Sequence, residues 1–468
     1  MKILPEKLVT QKHLFVSLAF AVVLSGCTQQ PDLSEGERAG QEPEGQYVIS
    51  SREGLKTIGS GVMMQAFYWD VPEGGTWWNN VKDKVTDWST AGIDAIWLPP
   101  VSKAHNGAYS MGYDPFDYFD FGQYDQMGSV ETRFGSASEL ESLVNEAHRN
   151  GLNVIADIVV NHNSGGDAED NIFTGGQTYT DYNPASGMFY RDMYDFHPND
   201  YHSGDSRTFG GFADLCHHKE NVQNWLWKDA NSVARYYRDQ IGFDGWRFDY
   251  VKGFEPWVVK AWTDEVGGFA VGEYWDGNAA TLDWWTGEAG AGAFDFACYY
   301  RMRDAFEGND LTRLGDDMLW KRNPMRSVTF VTNHDTDEIY NGKMLAYAYI
   351  LTHEGYPTVF YRDYEEWLDK DKLNNLIWIH NNLAGGSTDI LYNDNDEYIA
   401  RRNGYNNQGI IVYINNSGSW QEKWVDTNWG SSVIKDYTGH SGWEPVTEAD
   451  KRVKIEAPPK GYSVWSVK

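Results

Sequence analysis

GFDGWRFDYVKG, residues 242–253, sets Arg247 and Asp249 two apart among Phe243, Trp246, Phe248 and Tyr250. On a strand that spacing sends both charged side chains to one face. An arginine and an aspartate aimed together into aromatic surroundings point to a site rather than to packing. The arginine would keep the aspartate ionised where charge is otherwise disfavoured.

Outward from this stretch the chain repeats one theme from about residue 58. Short apolar runs end in polar residues, and text of helical length follows. The runs are GVMMQAFYW (61–69), DAIWLPP (94–100), NVIADIVVNH (153–162), FDGWRFDYV (243–251), FAVGEYW (269–275), AGAFDF (291–296), SVTFVTNHD (327–335) and PTVFY (357–361). Near-continuous apolar strands belong to parallel sheets buried on both faces. Eight of them with helices between predict an α/β fold, a (β/α)8 TIM barrel. WWNNVKDKVTDWSTAG (77–92) reads as a helix closed by glycine, and SASELESLVNEAHRNG (136–151) as a helix with a serine cap.

The rhythm breaks after the third strand. Residues 163–219, rich in Gly, Asp, Asn and Tyr, are too many for a structureless loop and predict an inserted small domain. From residue 385 to 468, segments such as EYIARRN, GIIVYINN, RVKIEAP and YSVWSV alternate with period two, predicting a C-terminal antiparallel β-sandwich domain. The barrel is thereby expected in two parts, 58–162 and 220–384.

The N-terminus reads as an address. Lys2, Lys7 and Lys12 precede the apolar run LFVSLAFAVVLSGC, too short to span a membrane comfortably. Its end, Leu24-Ser25-Gly26-Cys27, resembles the lipobox of bacterial lipoproteins, in which the cysteine is acylated and becomes the first mature residue. Residues 1–26 are then a signal peptide, and the acidic Gly- and Pro-bearing stretch 27–57 a flexible tether. The expected location is outside the cytoplasm, at the bacterial cell surface or outer membrane, with membrane contact only through the lipid.

With 39 Lys and Arg against 68 Asp and Glu, the formal charge is −29, which repels phosphate backbones and argues against nucleic acid as a partner. The 21 Trp and 29 Tyr suit stacking on sugars as well as core packing. Cys216 and Cys298 do not make a disulfide framework, and Cys298 reads as a small buried hydrophobe. The pairs Trp77-Trp78 and Trp284-Trp285 are expected to pack in the core rather than to form outlying sugar-stacking platforms.

In a parallel barrel the carboxyl ends of the strands share one pocket. Those ends carry Asn161 and His162, Arg247 and Asp249, Glu273, and Asn333, His334 and Asp335. Paired carboxylates suit glycoside hydrolysis, whose transition state is cationic. Asp249, beside Arg247, is the better nucleophile. Glu273 has no evident cationic neighbour in sequence. Asp249 and Asp335 nearby would raise its proton affinity, which suits an acid that later serves as base.

DIVVNH, GWRFDYVKG, GEYW and TNHDTD, in this order, resemble the four motifs of the alpha-amylase family, glycoside hydrolase family 13. The likeness runs from about Gly61 to the C-terminus. YSMGYDPFDYFDFG, VETRFGS, FGGFADLCHHKE and LAGGST are most similar to its archaeal-type branch. The resemblance implies endo-hydrolysis of α-1,4-glucosidic bonds in starch, glycogen or malto-oligosaccharides by a retaining double displacement, in a monomer. Asp249 would be the nucleophile, Glu273 the acid/base and Asp335 the transition-state stabiliser. Tyr113, His162, Arg247, Lys252 and His334 would contact the sugars. A structural calcium would be held by Asn161, Asp205 and Asp214 side chains and the carbonyls of Arg207 and Gly253. His197, His202 and Cys216 match a zinc site of that branch, although Ser203 and Gly204 stand where some relatives carry cysteines.

Two other readings compete. A glucan-binding protein on an inactive scaffold would be expected to lose at least one of Arg247, Asp249, Glu273 and Asp335, and all four are present. The motifs are also compatible with glycosyl transfer to a sugar instead of water.

Overall fold

A computed structural model describes residue 55 and residues 57–205, 209–405 and 408–468. The signal peptide, Cys27, nearly all of the tether and Arg207 lie outside the described residues.

The eight apolar runs form the eight strands of one closed barrel: β1 (Val62–Gln65), β2 (Ile93–Trp97), β3 (Asn153–Ile158), β4 (Gly245–Phe248), β5 (Phe269–Gly272), β6 (Gly292–Phe294), β7 (Ser327–Phe330) and β8 (Tyr356–Phe360). Each pairs in parallel with its neighbours in the chain, and β8 closes onto β1. Nearly all of their residues are buried, because helices cover the outside. The covering helices include Ala137–Arg149, Trp257–Val266, Ala279–Ala289, Phe296–Gly308, Lys343–Ile350 and Lys370–Asn382.

Ser136 caps the first of these through a reciprocal capping box with Glu139. The stretch 77–92 is two helices rather than one, Trp77–Lys82 and Val85–Ala91, the second closed by Gly92 at φ 103°. Both segments bury tryptophan, and the break lets each lay its own apolar side on the core. Trp77, Trp78 and Trp285 are buried as expected, whereas Trp284 is 54% exposed. Adjacent residues on a helix point about 100° apart, so only one of that pair reaches the core.

Gly272 shows how tightly β5 packs. A Cβ there would lie 2.1 Å from the Trp285 ring, so the indole fills the place of a side chain.

After β3 the chain leaves the barrel. At the neck His162–Asn163 pairs antiparallel with Ala213–Asp214, and farther out Asp167–Asn171 pairs with Gly176–Asp181. Arg191 anchors this insertion from inside. Its guanidinium is fully buried over the rings of Phe189, Tyr182 and Tyr118, at 4.4, 4.8 and 5.5 Å.

The C-terminal residues form a five-stranded sheet, in the order 388–393, 397–402, 410–415, 461–467 and 434–436, and a two-stranded sheet of 421–426 and 452–457. Alternation decides what each face covers. Tyr398, Ala400, Ile410, Val412, Ile414 and Val464 join the core of the barrel, while Ile399, Ile411, Tyr413 and Trp465 pack against Val425, Val453 and Ile455 of the smaller sheet. The two layers are the expected antiparallel sandwich.

Candidate active site

Asp249 and Glu273 extend the barrel ladder one residue beyond β4 and β5: the Asp249 amide donates to the Ile158 carbonyl at 3.0 Å and the Glu273 amide to the Phe248 carbonyl at 2.9 Å. Period two then directs Arg247 and Asp249 inward together. In the register of the sheet Arg247 faces Asp157 of β3 directly.

Three carboxyl groups therefore meet one fully buried guanidinium. Arg247 Nη1 lies 2.8 Å from Asp157 Oδ1 and 2.8 Å from Asp249 Oδ1, and Nη2 lies 2.7 Å from Glu273 Oε1. The last contact is close but poorly aligned for a hydrogen bond, so it is chiefly a charge contact. The expectation that Glu273 lacks a cationic partner is thus corrected. The neighbour is 26 residues away in sequence and adjacent only through the pairing of β4 with β5.

Burial still pushes the Glu273 carboxyl well above the ordinary range, and Asp249 and Asp335 add to the rise against the opposing pull of Arg247. Burial also raises Asp157, to about 7. A carboxyl that holds its proton beside another on the same guanidinium is a pair able to donate a proton and to face a developing cation.

Asp157 was not foreseen as part of the site. Its Oδ2 accepts from Tyr113 Oη at 2.9 Å and from Trp97 Nε1 at 3.1 Å. Strand parity held the clue, since Asp157 and Asn161 are both an even number of residues apart on one strand and its extension.

Tyr113 is tied to this cluster, and its ring stacks on His334 at 5.4 Å, with Trp69 stacked beyond at 6.0 Å from Tyr113. Trp69, 50% exposed, was likewise not foreseen; it supplies an aromatic face at the cleft mouth. His334 accepts from Gln65 Nε2 at Nδ1, 2.9 Å away, which leaves the ring proton on Nε2, 3.2 Å from Asp335 Oδ2. Burial holds His334 well below its usual range and Arg247 lowers it further, so the imidazole is neutral. Burial also lowers His162, which contacts the Tyr113 carbonyl at 3.0 Å. Lys252 lies farther along the loop after β4, 2.9 Å from Asp276 Oδ2 and 4.9 Å from the centre of the Tyr274 ring.

Below His162 is a candidate cation cradle. Asn161 Oδ1 and both Asp214 carboxylate oxygens are buried without an aligned donor among the described residues. A Cβ on Gly253 would lie 1.8 Å from Asn161 Oδ1, so the backbone passes where only glycine fits. Unsatisfied hard oxygens converging in this way fit a calcium-type ion.

Asp205 sits instead with imidazoles, 3.4 Å from His197 Nε2, 3.8 Å from His202 Nδ1 and 3.9 Å from His217 Nδ1. The side chains that converge there closely enough to share an ion are His197, His202 and Asp205. Cys216 is outside this set. It is fully buried against His197 but is not among the side chains that converge with His202, so the expected His197, His202 and Cys216 are not brought together as one set. Cys298 is fully buried, as expected of a small hydrophobe.

The matching family descriptions are the alpha amylase catalytic domain over residues 65–286 and the alpha-amylase C-terminal domain over 410–466. A probable alpha-amylase 2 of Arabidopsis thaliana is 30% identical, over 66% of this chain and 76% of its own. The chain belongs to the alpha-amylase family. It is a glycoside hydrolase of the alpha-amylase type. The cytoplasmic alpha-amylase of Escherichia coli K12 is 26% identical over 86% of this chain and 98% of that protein. Among solved structures, the alpha-amylase of Geobacillus thermoleovorans complexed with acarbose superposes with a TM-score of 0.69 at 19% identity, covering 88% of this chain and 99% of that one. That likeness supports the fold.

Proposed function

We propose that the chain is an exported alpha-amylase that cleaves internal α-1,4 bonds of starch and related glucans with retention. The observation that carries this reading is the single guanidinium of Arg247 against both Asp249 and Glu273, with Glu273 the group that keeps its proton.

Asp249 attacks the anomeric carbon while Glu273 gives its proton to the leaving glycosidic oxygen. The product is a glycosyl ester and a shortened glucan with a free hydroxyl. Esterification removes the Asp249 charge, which lowers the proton affinity of Glu273 and lets it take a proton from the incoming water. Water attacks the same carbon from the vacated side and releases Asp249, so two inversions give retention. Asp335, Arg247, His334, His162, Tyr113 and Lys252 contact the sugars around the scissile bond. Trp69 extends the Tyr113 stack.

Asn161, Asp214 and the Gly253 carbonyl would hold a structural calcium, with Asp205 and Arg207 completing the set proposed from sequence. Bound there, the ion supplies positive charge to orphaned oxygens and ties the insertion to the loop carrying Lys252. His197, His202 and His217 adjoin that set through Asp205, and zinc is not part of the proposal. The archaeal-type branch, acylation at Cys27 and a cell-surface location rest on the motifs quoted above.

Time-resolved proton NMR of maltoheptaose cleavage tests the mechanism. The first new reducing ends are expected as the α anomer, with fragments shorter than the substrate. A β anomer would refute retention, and chains longer than the substrate would indicate transfer to sugar. Glu273→Gln should abolish starch cleavage, and equal release by both proteins would remove Glu273 from its role.

A further inference from the structure

The stretch VETRFGS, residues 130–136, leads into the helix Ala137–Arg149 and contributes no group to the catalytic cluster. Its arginine, Arg133, is 5% exposed, and the hydrogen bonds of its side chain all lead to loops at the carboxyl end of the barrel. Nε donates to the Val71 carbonyl at 2.7 Å, Nη1 to the Tyr109 carbonyl at 2.7 Å and Nη2 to Asp70 Oδ1 at 2.6 Å. Glu73 Oε1 lies 3.6 Å from Nη1. Residues 70–73 follow β1 and Tyr109 follows β2, so one planar guanidinium joins two loops. The arginine is itself held in place. The carbonyls of Arg133 and Phe134 accept from the amides of Gly75 and Trp78, at 3.1 and 3.0 Å.

These two loops carry the aromatic face of the cleft mouth. Trp69 immediately precedes Asp70, and Tyr113 follows Tyr109 by four residues. The Trp69 ring stacks on Tyr113 at 6.0 Å and on His334 at 6.4 Å. It is half-exposed, so the backbone beneath it does much of the aiming. That backbone takes a turn that few side chains favour. Asp70 has φ 67°, in the left-handed region that glycine, asparagine and aspartate adopt most readily. The pair with Arg133 fastens Asp70 in that turn, and the bonds to the carbonyls of Val71 and Tyr109 fix the chain on either side of the stack.

We propose that Arg133 is a positioning residue for the glucan: by holding the turn at Asp70 and the loop at Tyr109 it sets Trp69 against Tyr113, and so builds the surface on which sugar rings stack in the cleft. The proposal rests on the reading of the chain as a glucan hydrolase. None of the Arg133 hydrogen bonds reaches Asp249, Glu273 or Asp335. Its loss should therefore weaken the ground state and the transition state alike, which raises KM and leaves kcat.

The test is kcat and KM of the full chain on maltoheptaose for wild type, Trp69→Ala, Arg133→Met, Arg133→Lys and the double variant Trp69→Ala with Arg133→Met. Trp69→Ala should raise KM about threefold to tenfold, the worth of one aromatic stacking contact, with kcat within about twofold. Arg133→Met should raise KM by a similar factor although it deletes no ring. Added to Trp69→Ala it should change KM by less than about twofold, because the two act through one surface. Arg133→Lys, which keeps the charge without the fork, should lie between. Asp70→Ala, at a largely exposed position, should raise KM in the same way. Asp70→Asn, which keeps an acceptor oxygen and tolerates the left-handed turn, should not. These two variants carry the test if Arg133→Met does not fold. Additive effects in the double variant would overturn the proposal, as would an unchanged KM in Arg133→Met or Asp70→Ala, or a loss confined to kcat. A wild type that leaves maltoheptaose uncut would defeat the hydrolase reading, and the proposal with it; a wild type that cuts it with the KM of every variant unchanged overturns the positioning role alone.

Discussion

Replacing Arg247 with methionine removes the one cation that three carboxyl groups share. Each contact, at 2.7–2.8 Å, is worth about 6 kcal/mol in gross Coulomb energy at an effective dielectric near 20. Desolvation of the guanidinium offsets most of this, and breaking a buried pair costs about 3–5 kcal/mol net. For a chain of this length that is a fall in melting temperature of about 5 °C. The sign with pH is definite. Without the guanidinium the folded-state proton affinities of Asp157 and Glu273, already raised by burial, rise further. The added instability therefore opens above about 7, where wild-type Asp157 gives up its proton, and grows as pH rises from there. Calorimetry of wild type and Arg247→Met near pH 9 and near pH 6, with kcat on starch, measures both parts. The expected result is a deficit several degrees larger at the higher pH and loss of activity at either. A deficit that is absent or independent of pH would refute the view that this guanidinium compensates a carboxylate cluster.

Other residues give further expectations. Gly253→Ala would have to displace Asn161 Oδ1 by more than an ångström to clear the 1.8 Å contact; stability should fall and lose its response to chelator, and a melting temperature equally chelator-sensitive in both proteins would contradict the cradle. Lys252 and Asp276, 2.9 Å apart, should show coupling in a cycle of Lys252→Met and Asp276→Asn, with KM for maltoheptaose raised by either change and little further by both. Additive effects would mean that the pair does not act as a unit. Burial lowers His380 to about 4 and His353 to about 3. Both favour the neutral folded form, so their stabilisation is complete above about 6.5 and falls by about 1.4 kcal/mol per pH unit per histidine below it. The acid unfolding midpoint should therefore move down in His380→Gln, and a midpoint that moves up would contradict this.

The barrel was legible because strands buried on both faces must be written in apolar residues, and runs such as NVIADIVVNH and SVTFVTNHD leave little choice. The residues at the strand ends were legible for the same reason, since charge at the end of an apolar run stands out. What escaped was whatever depends on register between strands. Arg247 meets Asp157 and Glu273 only because β4 lies between β3 and β5, and no local pattern reports that. The break at residues 83–84 and the exposure of Trp284 escaped because a composition that is apolar on average does not show which turn of a helix faces the core. In the insertion, few apolar residues impose a period, so the company that Asp205 keeps with His197, His202 and His217 was not predictable from spacing.

The account turns on Glu273 retaining its proton while it shares Arg247 with Asp249. Infrared difference titration of wild type against Glu273→Gln isolates the carboxyl stretch of that residue. The account predicts a protonated band near neutral pH, absent in the variant, that titrates away well above the ordinary glutamate value. A band that disappears at or below about 4.3, the value of an unperturbed glutamate, would contradict it.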